Sequence, residues 1–187
     1  ALNEQLGAEA AALLKKLEYR GYDSTGAAFF QPDGAVELKK KVGSPTRVID
    51  ELDIERDRGA KFIGQVRWAT YGSVTDVNAQ PHEMSCLHHI VGAHNGNISN
   101  TDKLKAFLAE TGHEVRSDND GEMLVHTVEH YYDQVTRRDA PADDEQRVEA
   151  MIQAIVRAQR HVEGSYASCV AFPDLPGVFA MKSGSSL

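Results

Sequence analysis

Two short polar blocks carry the residue types that could do chemistry: Gly64-Gln65-Val66-Arg67-Trp68-Ala69-Thr70-Tyr71-Gly72 and Gly92-Ala93-His94-Asn95-Gly96-Asn97. Each follows an apolar run. An arginine at a strand end can grip an ionised carboxylate through two parallel hydrogen bonds. An asparagine amide beside a backbone N–H can face a carbonyl oxygen that gains charge. Ser117-Asp118-Asn119-Asp120 adds carboxylates near a helix start, as capping and dipole compensation or as a grip on an ammonium. A substrate with both an α-carboxylate and an α-amine needs one charge of each sign, and Arg67 with Asp120 would supply them. Singly, each block has a plainer explanation: Arg67 as a solvated strand-end cation, Asn95-Gly96 as a type I′ hairpin turn. A helical pattern rather than a partner strand follows Asn97, which predicts a strand-to-helix junction with free N–H groups.

Other candidates are weaker. His126-Thr127-Val128-Glu129-His130 fits the H-x-x-E-H pattern of inverted zincins, but a short pattern of common residues has little specificity. No third ligand is evident, and a polar helix face is the simpler reading. His88-His89 reads as part of a strand, where the rings would point to opposite faces. Cys86 and Cys169 lie at or in apolar strands, where cysteine is usually inert. No G-x-S-x-G, Walker loop or dinucleotide fingerprint occurs, and no metal or cofactor is expected.

These residues must be positioned by a mixed set of elements. Ala10, Leu13, Leu14 and Leu17 sit at helical spacing in a first helix ending near Tyr19. Gly26 to Phe30 and Ala35 to Leu38 flank Gln31-Pro32-Asp33-Gly34 and read as a hairpin. Val48, Ile49 and Leu52 form one face of a short helix. Phe62 to Val66 and Leu87 to Ala93 are strands that deliver the polar blocks, joined by a long polar loop, Ser73 to Ser85. Asn100 caps a helix carrying Leu104, Phe107 and Leu108, stopped by Gly112. A second long helix runs from about Gly121 to Gln134, and a third carries Val148, Met151, Ile152, Ile155 and Val156 beyond a solvated linker, Arg137 to Asp144. Strands at Ala167 to Phe172 and Val178 to Met181 follow. This order, without a βαβ repeat, favours antiparallel sheets covered by helices.

With 187 residues, 41% hydrophobic and 26% charged, the chain suits one globular domain and has no stretch long and apolar enough for a membrane span. A formal charge of −8 disfavours nucleic acid and anionic lipid surfaces as partners. Two cysteines and no signal-peptide pattern point to a reducing cytoplasm.

Several blocks taken together are more particular: Leu17-Glu18-Tyr19-Arg20-Gly21-Tyr22-Asp23-Ser24, Arg67-Trp68-Ala69-Thr70, Asn78-Ala79-Gln80-Pro81-His82, His94-Asn95-Gly96 and Asp118-Asn119-Asp120. In this order they closely resemble the glutaminase domain of the glutamine:fructose-6-phosphate amidotransferases, over nearly the whole chain. The resemblance implies an α+β N-terminal-nucleophile hydrolase fold, a four-layer αββα sandwich with mainly antiparallel sheets. It implies hydrolysis of L-glutamine to glutamate and ammonia, with ammonia passed to fructose 6-phosphate on a C-terminal sugar-phosphate isomerase domain, through which such proteins would form homodimers. By the same resemblance Arg67 holds the glutamine α-carboxylate with Thr70, Tyr71 and Gly72 beside it, and Asp120 holds the α-amine. Asn95 and Gly96 form the oxyanion hole, Trp68 belongs to the closing loop, and Arg20 supports the nucleophile. That nucleophile is an N-terminal cysteine, expected upstream of Ala1; residues 1–187 would then be a glutaminase domain truncated at both ends. Gln80, where the family often has histidine, leans toward the phosphoribosylpyrophosphate amidotransferases, whereas the Leu17 to Asp23 block argues against them. An inactive glutamine-binding module is the other alternative.

Overall fold

The computed structural model describes residues 1–69 and 72–184. Thr70 and Tyr71, both assigned to the substrate site by resemblance, lie outside the described residues.

The chain begins with α1 (Leu6–Lys16), whose Leu6, Ala10 and Leu14 face inward, followed by a tight turn, Glu18–Arg20. Strand β1 (Ser24–Phe30) is buried along its whole length because β2 (Val36–Val42) and β3 (Lys61–Arg67) pair with it on either side and layers cover both faces. The expected turn between β1 and β2 forms at Gln31–Gly34, closed by Gly34 N–H on the Gln31 carbonyl at 3.1 Å, with Gly34 at φ +87°. Helix α2 (Pro45–Glu51) starts at proline, whose missing N–H costs nothing there.

The second sheet is also antiparallel, in the order β4 (His82–Met84), β5 (Ile90–Ile98), β6 (Gly164–Ala171), β7 (Phe179–Ser183). The long polar loop therefore contains a short strand that sequence periodicity does not reveal. His88 and His89 precede β5 rather than lying in it, because pairing with β4 starts only at Ile90. Cys86 likewise sits in the β4–β5 connection, not in an apolar strand. Helices α3 (Thr101–Glu110), α4 (Asp120–Arg138) and α5 (Asp144–His161) complete the set.

Three apolar cores separate four layers. Leu14, Ile49 and Ile54 pack with Ala27 and Phe29 between the first helices and the first sheet. Ala28, Phe30, Ile63, Val91, Ala93 and Ala171 fill the space between the sheets. The largest core joins β5 and β6 to α3, α4 and α5 through Ile90, Leu104, Leu124, Met151 and Tyr166. This is the αββα sandwich expected from the resemblance. Its consequence for function is that the ends of β3 and β5, on different sheets, meet the start of α4.

Candidate active site

Where those three elements converge there is a cleft of about 760 Å³, lined by Arg20, Arg67, Trp68, Asn95, Gly96 and Asp120 together with Gln65, Gln80, His94, Asn97, Asn119 and Ser165. Every described residue assigned from sequence except Gly72 lines it. Gly72 lies beside it, its carbonyl 3.5 Å from an Arg67 guanidinium nitrogen and its φ at +76°.

The β5 segment is not a turn. Asn95, Gly96 and Asn97 are strand residues paired with Ala167, Tyr166 and Ser165, so the expected strand-to-helix junction lies further on, at α3. The N–H groups are nevertheless organised as the chemistry requires. Neighbouring residues of an antiparallel ladder direct their N–H groups to opposite edges. Ser99 N–H bonds the Glu163 carbonyl at 2.8 Å, which places the N–H groups of Asn97 and Asn95 on the β6 side and those of Ile98, Gly96 and His94 on the other edge. On that edge His94 N–H donates to Gln80 Oε1 at 2.7 Å and Ile98 N–H to Asp120 Oδ2 at 3.0 Å. The Gly96 N–H lies between them and has no partner among the described residues. Gly96 has φ +136°, a conformation that only glycine adopts at low cost, and a Cβ there would run into the Ser165 carbonyl oxygen.

Asp120 is the first helical residue of α4 and is buried, while Asn119 is the cap, its Oδ1 accepting Gly121 N–H at 3.0 Å. Burial pushes the Asp120 carboxyl up, but the His94 ring 3.3 Å from Oδ2 and the N–H groups of Ile98 and Asp120 itself outweigh it. Its pKa ends below the ordinary 3.8, so it is ionised at neutral pH. Asp118, by contrast, is largely exposed and faces Lys105 at 3.9 Å.

Gln80 and Gln65 hold β5 in place. Gln80 Nε2 donates to the His94 carbonyl at 3.1 Å, and Gln65 Nε2 reaches the same oxygen from β3 at 3.0 Å, tying the two sheets together. Below this, His82 Nε2 lies 3.1 Å from Asn119 Oδ1; burial first, then the nearby Lys40 charge, push His82 down to about 3, so the neutral ring donates.

Arg67 ends β3 and is 4% exposed, with Nη1 donating to the Ser73 carbonyl at 3.2 Å. Burial lowers its pKa from 12.5, partly offset by the carboxylates of Asp120 and Asp23, and it remains a cation. The Gly21-Tyr22-Asp23 run docks this end of β3. A Cβ on Gly21 would lie 2.6 Å from the Arg67 carbonyl carbon, Tyr22 packs on Trp68 with ring centroids 5.4 Å apart, and Asp23 Oδ2 accepts Ala69 N–H at 2.8 Å. Trp68 is 58% exposed at the cleft rim.

Neither cysteine lines this cleft. Cys86 lies near His113 and His126, away from it, and burial pushes the Cys169 thiol up, away from the thiolate that would react. The H-x-x-E-H face is not a solvated polar face either: His126 and Glu129 are fully enclosed, and His130 nearly so. Sequence reasoning named His94 and Gln80 without giving them roles. The signal available was their placement within blocks already singled out.

The layered fold is shared with a solved amidotransferase. It superposes with a TM-score of 0.63 on the glutamine phosphoribosylpyrophosphate amidotransferase of B. subtilis, solved with ADP and GMP, at 23% identity over 90% of this chain and 32% of that one. The structure of the allosteric regulatory enzyme of purine biosynthesis matches with a TM-score of 0.70 at 24% identity, over 91% of this chain and 34% of that one. Residues 67–182 match the glutamine amidotransferase domain family, and the chain belongs to it. It is 34% identical over 185 residues to the isomerizing glutamine–fructose-6-phosphate aminotransferase of Sulfurisphaera tokodaii, covering 99% of this chain and 29% of that protein. The Thermus thermophilus protein of the same name is 36% identical over 174 residues, covering 93% and 26%. The Clostridium perfringens protein is 36% identical over 163 residues, covering 87% and 24%. The chain thus spans less than a third of the length of these relatives.

Proposed function

We propose that this domain hydrolyses L-glutamine to glutamate and ammonia, and that in a longer protein the ammonia is transferred to fructose 6-phosphate, giving glucosamine 6-phosphate. The observation that carries this reading is the edge of β5, where Gly96 N–H has no partner among the described residues and stands beside Asn95, between two N–H groups already taken by Gln80 and Asp120. In this reading Arg67 binds the α-carboxylate and Asp120 the α-ammonium, with Thr70, Tyr71 and Gly72 completing the carboxylate end and Trp68 covering it. A thiolate from a cysteine ahead of Ala1 attacks the carboxamide carbon, and its free α-amine accepts and relays the proton. The oxyanion is held by the Asn95 amide and Gly96 N–H. Collapse of the tetrahedral species breaks the C–N bond and releases ammonia; water then cleaves the thioester to glutamate. Arg20, on the cleft wall, supports the nucleophile.

The curated relatives named for fructose 6-phosphate share 34–36% identity, whereas the phosphoribosylpyrophosphate enzyme shares 23%, which favours the sugar phosphate as acceptor. A C-terminal isomerase domain, homodimerisation through it and a cytoplasmic setting belong to the same proposal. Among the described residues no helix is long and apolar enough to cross a membrane.

The test is glutamate release from glutamine by the full-length protein and its Asn95→Ala variant. Removing one oxyanion donor lowers kcat by about a hundredfold or more, roughly 3 kcal/mol. Undiminished release would overturn the oxyanion assignment. Glutamine binding without any release in the unmutated protein would favour the inactive binding module.

A further inference from the structure

We infer that the chain holds a structural zinc site, formed by Cys86, His113, His126 and Glu129. These residues come from three segments, the β4–β5 connection, the α3–α4 connection and α4 itself. One ligand atom from each lies within 4.8 Å of all the others. Glu129 Oε2 is the shared point: His113 Nδ1 is 3.2 Å from it and His126 Nδ1 is 3.1 Å. Both rings and the carboxylate are buried, and only Cys86 is half-exposed.

The chemistry of the set suits zinc. One thiolate, two imidazoles and one carboxylate are ligands that zinc takes in tetrahedral sites. Thiolate and carboxylate together neutralise a divalent cation, so the occupied site is uncharged, which a buried position requires. Binding forms four coordinate bonds and releases the Cys86 thiol proton to solvent. Each imidazole binds through Nδ1, so the proton held on that nitrogen moves to Nε2 or, where Nε2 already carries one, to solvent.

What lies behind each ligand is already arranged for that tautomer. His126 Nε2 is buried without a hydrogen bond among the described residues and stands 3.6 Å from Glu122 Oε1, a carboxylate placed to orient a ring whose Nε2 carries the proton. His113 Nε2 is 3.3 Å from His130 Nδ1, and His130 Nε2 is 2.9 Å from the Gln134 amide nitrogen. Glu129 Oε1 accepts the N–H groups of Leu87 and His88 at 2.7 and 2.9 Å, leaving Oε2 for the metal, and Cys86 Sγ accepts Glu114 N–H at 3.4 Å. Orienting partners of this kind accompany most metal-bound histidines. Four protein ligands leave no open position, and Glu129 lies about 13 Å along α4 from Asp120 at the helical rise, so the site staples two connections to the helix instead of taking part in catalysis.

The inference is independent of the glutaminase reading and is tested without an activity assay. The purified protein, stripped with chelator and titrated anaerobically with cobalt(II), should bind one equivalent. Its spectrum should show tetrahedral d–d bands and a thiolate-to-cobalt charge-transfer band, and zinc should displace the cobalt. Cys86→Ser should abolish the charge-transfer band and weaken zinc binding at least tenfold, and His113→Gln should weaken it similarly, with far-ultraviolet circular dichroism confirming folding. Stoichiometric zinc in the freshly purified protein would support the site. No stoichiometric binding by the folded, reduced protein would overturn it and leave a hydrogen-bonded histidine–carboxylate network. Cobalt binding that survives Cys86→Ser with an unchanged spectrum would overturn the four-ligand assignment.

Discussion

The Gln80 carboxamide faces the backbone of His94 and makes both bonds of a strand neighbour, accepting its N–H at 2.7 Å and donating to its carbonyl at 3.1 Å. β4 pairs with β5 only from Ile90 to Gly92, so a side chain takes over the edge where the strand stops. Gln80→Ala leaves the buried N–H of His94 unpaired, which costs about 1–3 kcal/mol. The urea unfolding midpoint is expected to fall accordingly, and glutamate release to fall with it as the Gly96 edge shifts.

The guanidinium of Arg67 is fixed at the end of β3 with a planar array of donors. Lysine keeps the charge and loses the paired geometry. Arg67→Lys is expected to raise the KM for glutamine by about 10- to 100-fold, matching the roughly 1.5–3 kcal/mol of a hydrogen bond to a charged group. A steady-state titration checks this; an unchanged KM would remove Arg67 from the carboxylate role.

Gly96→Ala places a Cβ against the Ser165 carbonyl at a φ of +136°. The strain is worth about 1–3 kcal/mol, and relieving it turns the N–H away from the cleft. A loss of kcat larger than the loss in stability is the expected result, read by comparing glutamate release with thermal unfolding.

Acid sensitivity follows from two buried groups beneath the site. His82 titrates near 3 in the folded chain instead of its ordinary 6.5, so between those values the unfolded chain binds a proton that the folded chain does not. Stability therefore falls as pH drops below 6.5. Glu122 is also held low, at about 2 against an ordinary 4.5: its burial is outweighed by the neighbouring His126 and then by hydrogen bonds from Ser117 and the Arg116 N–H. It adds a second loss as pH falls from 4.5 toward 2. Urea midpoints measured from pH 7 to 4 should decline, and His82→Gln should flatten the decline above pH 4.5 by the equivalent of one proton.

The main elements were legible from sequence because their periodicities are local. The Ala10–Leu17 spacing gives α1, and the Pro-Asp-Gly turn gives the first hairpin. The strand-to-helix junction expected after Asn95-Gly96 falls further on because the dipeptide that favours a type I′ turn also suits a strand edge where one residue must adopt positive φ against a neighbour's carbonyl. Nothing local separates these cases, since Ser165 lies far along the chain. For the same reason the sequence shows His126 and Glu129 only as a polar helix face: Cys86 and His113, which lie against them, come from other connections. Arg67, Asp120 and Gly96 were individually visible, yet their convergence depends on how the two sheets stack.

That stacking has a further consequence. The layer between the sheets interleaves the small side chains of Ala28, Ala93 and Ala171 with Phe30, Ile63 and Val91, and it separates the strand ending in Arg67 from the strand bearing Asn95 and Gly96. On the proposed reading it acts as a ruler, setting the reach from the arm that holds the α-carboxylate to the arm that polarises the carboxamide. Asparagine, one methylene shorter, falls short of engaging both. Discrimination between the two amino acids is then set by the residues packed between the sheets, and repacking that hidden layer would change which chain length fits.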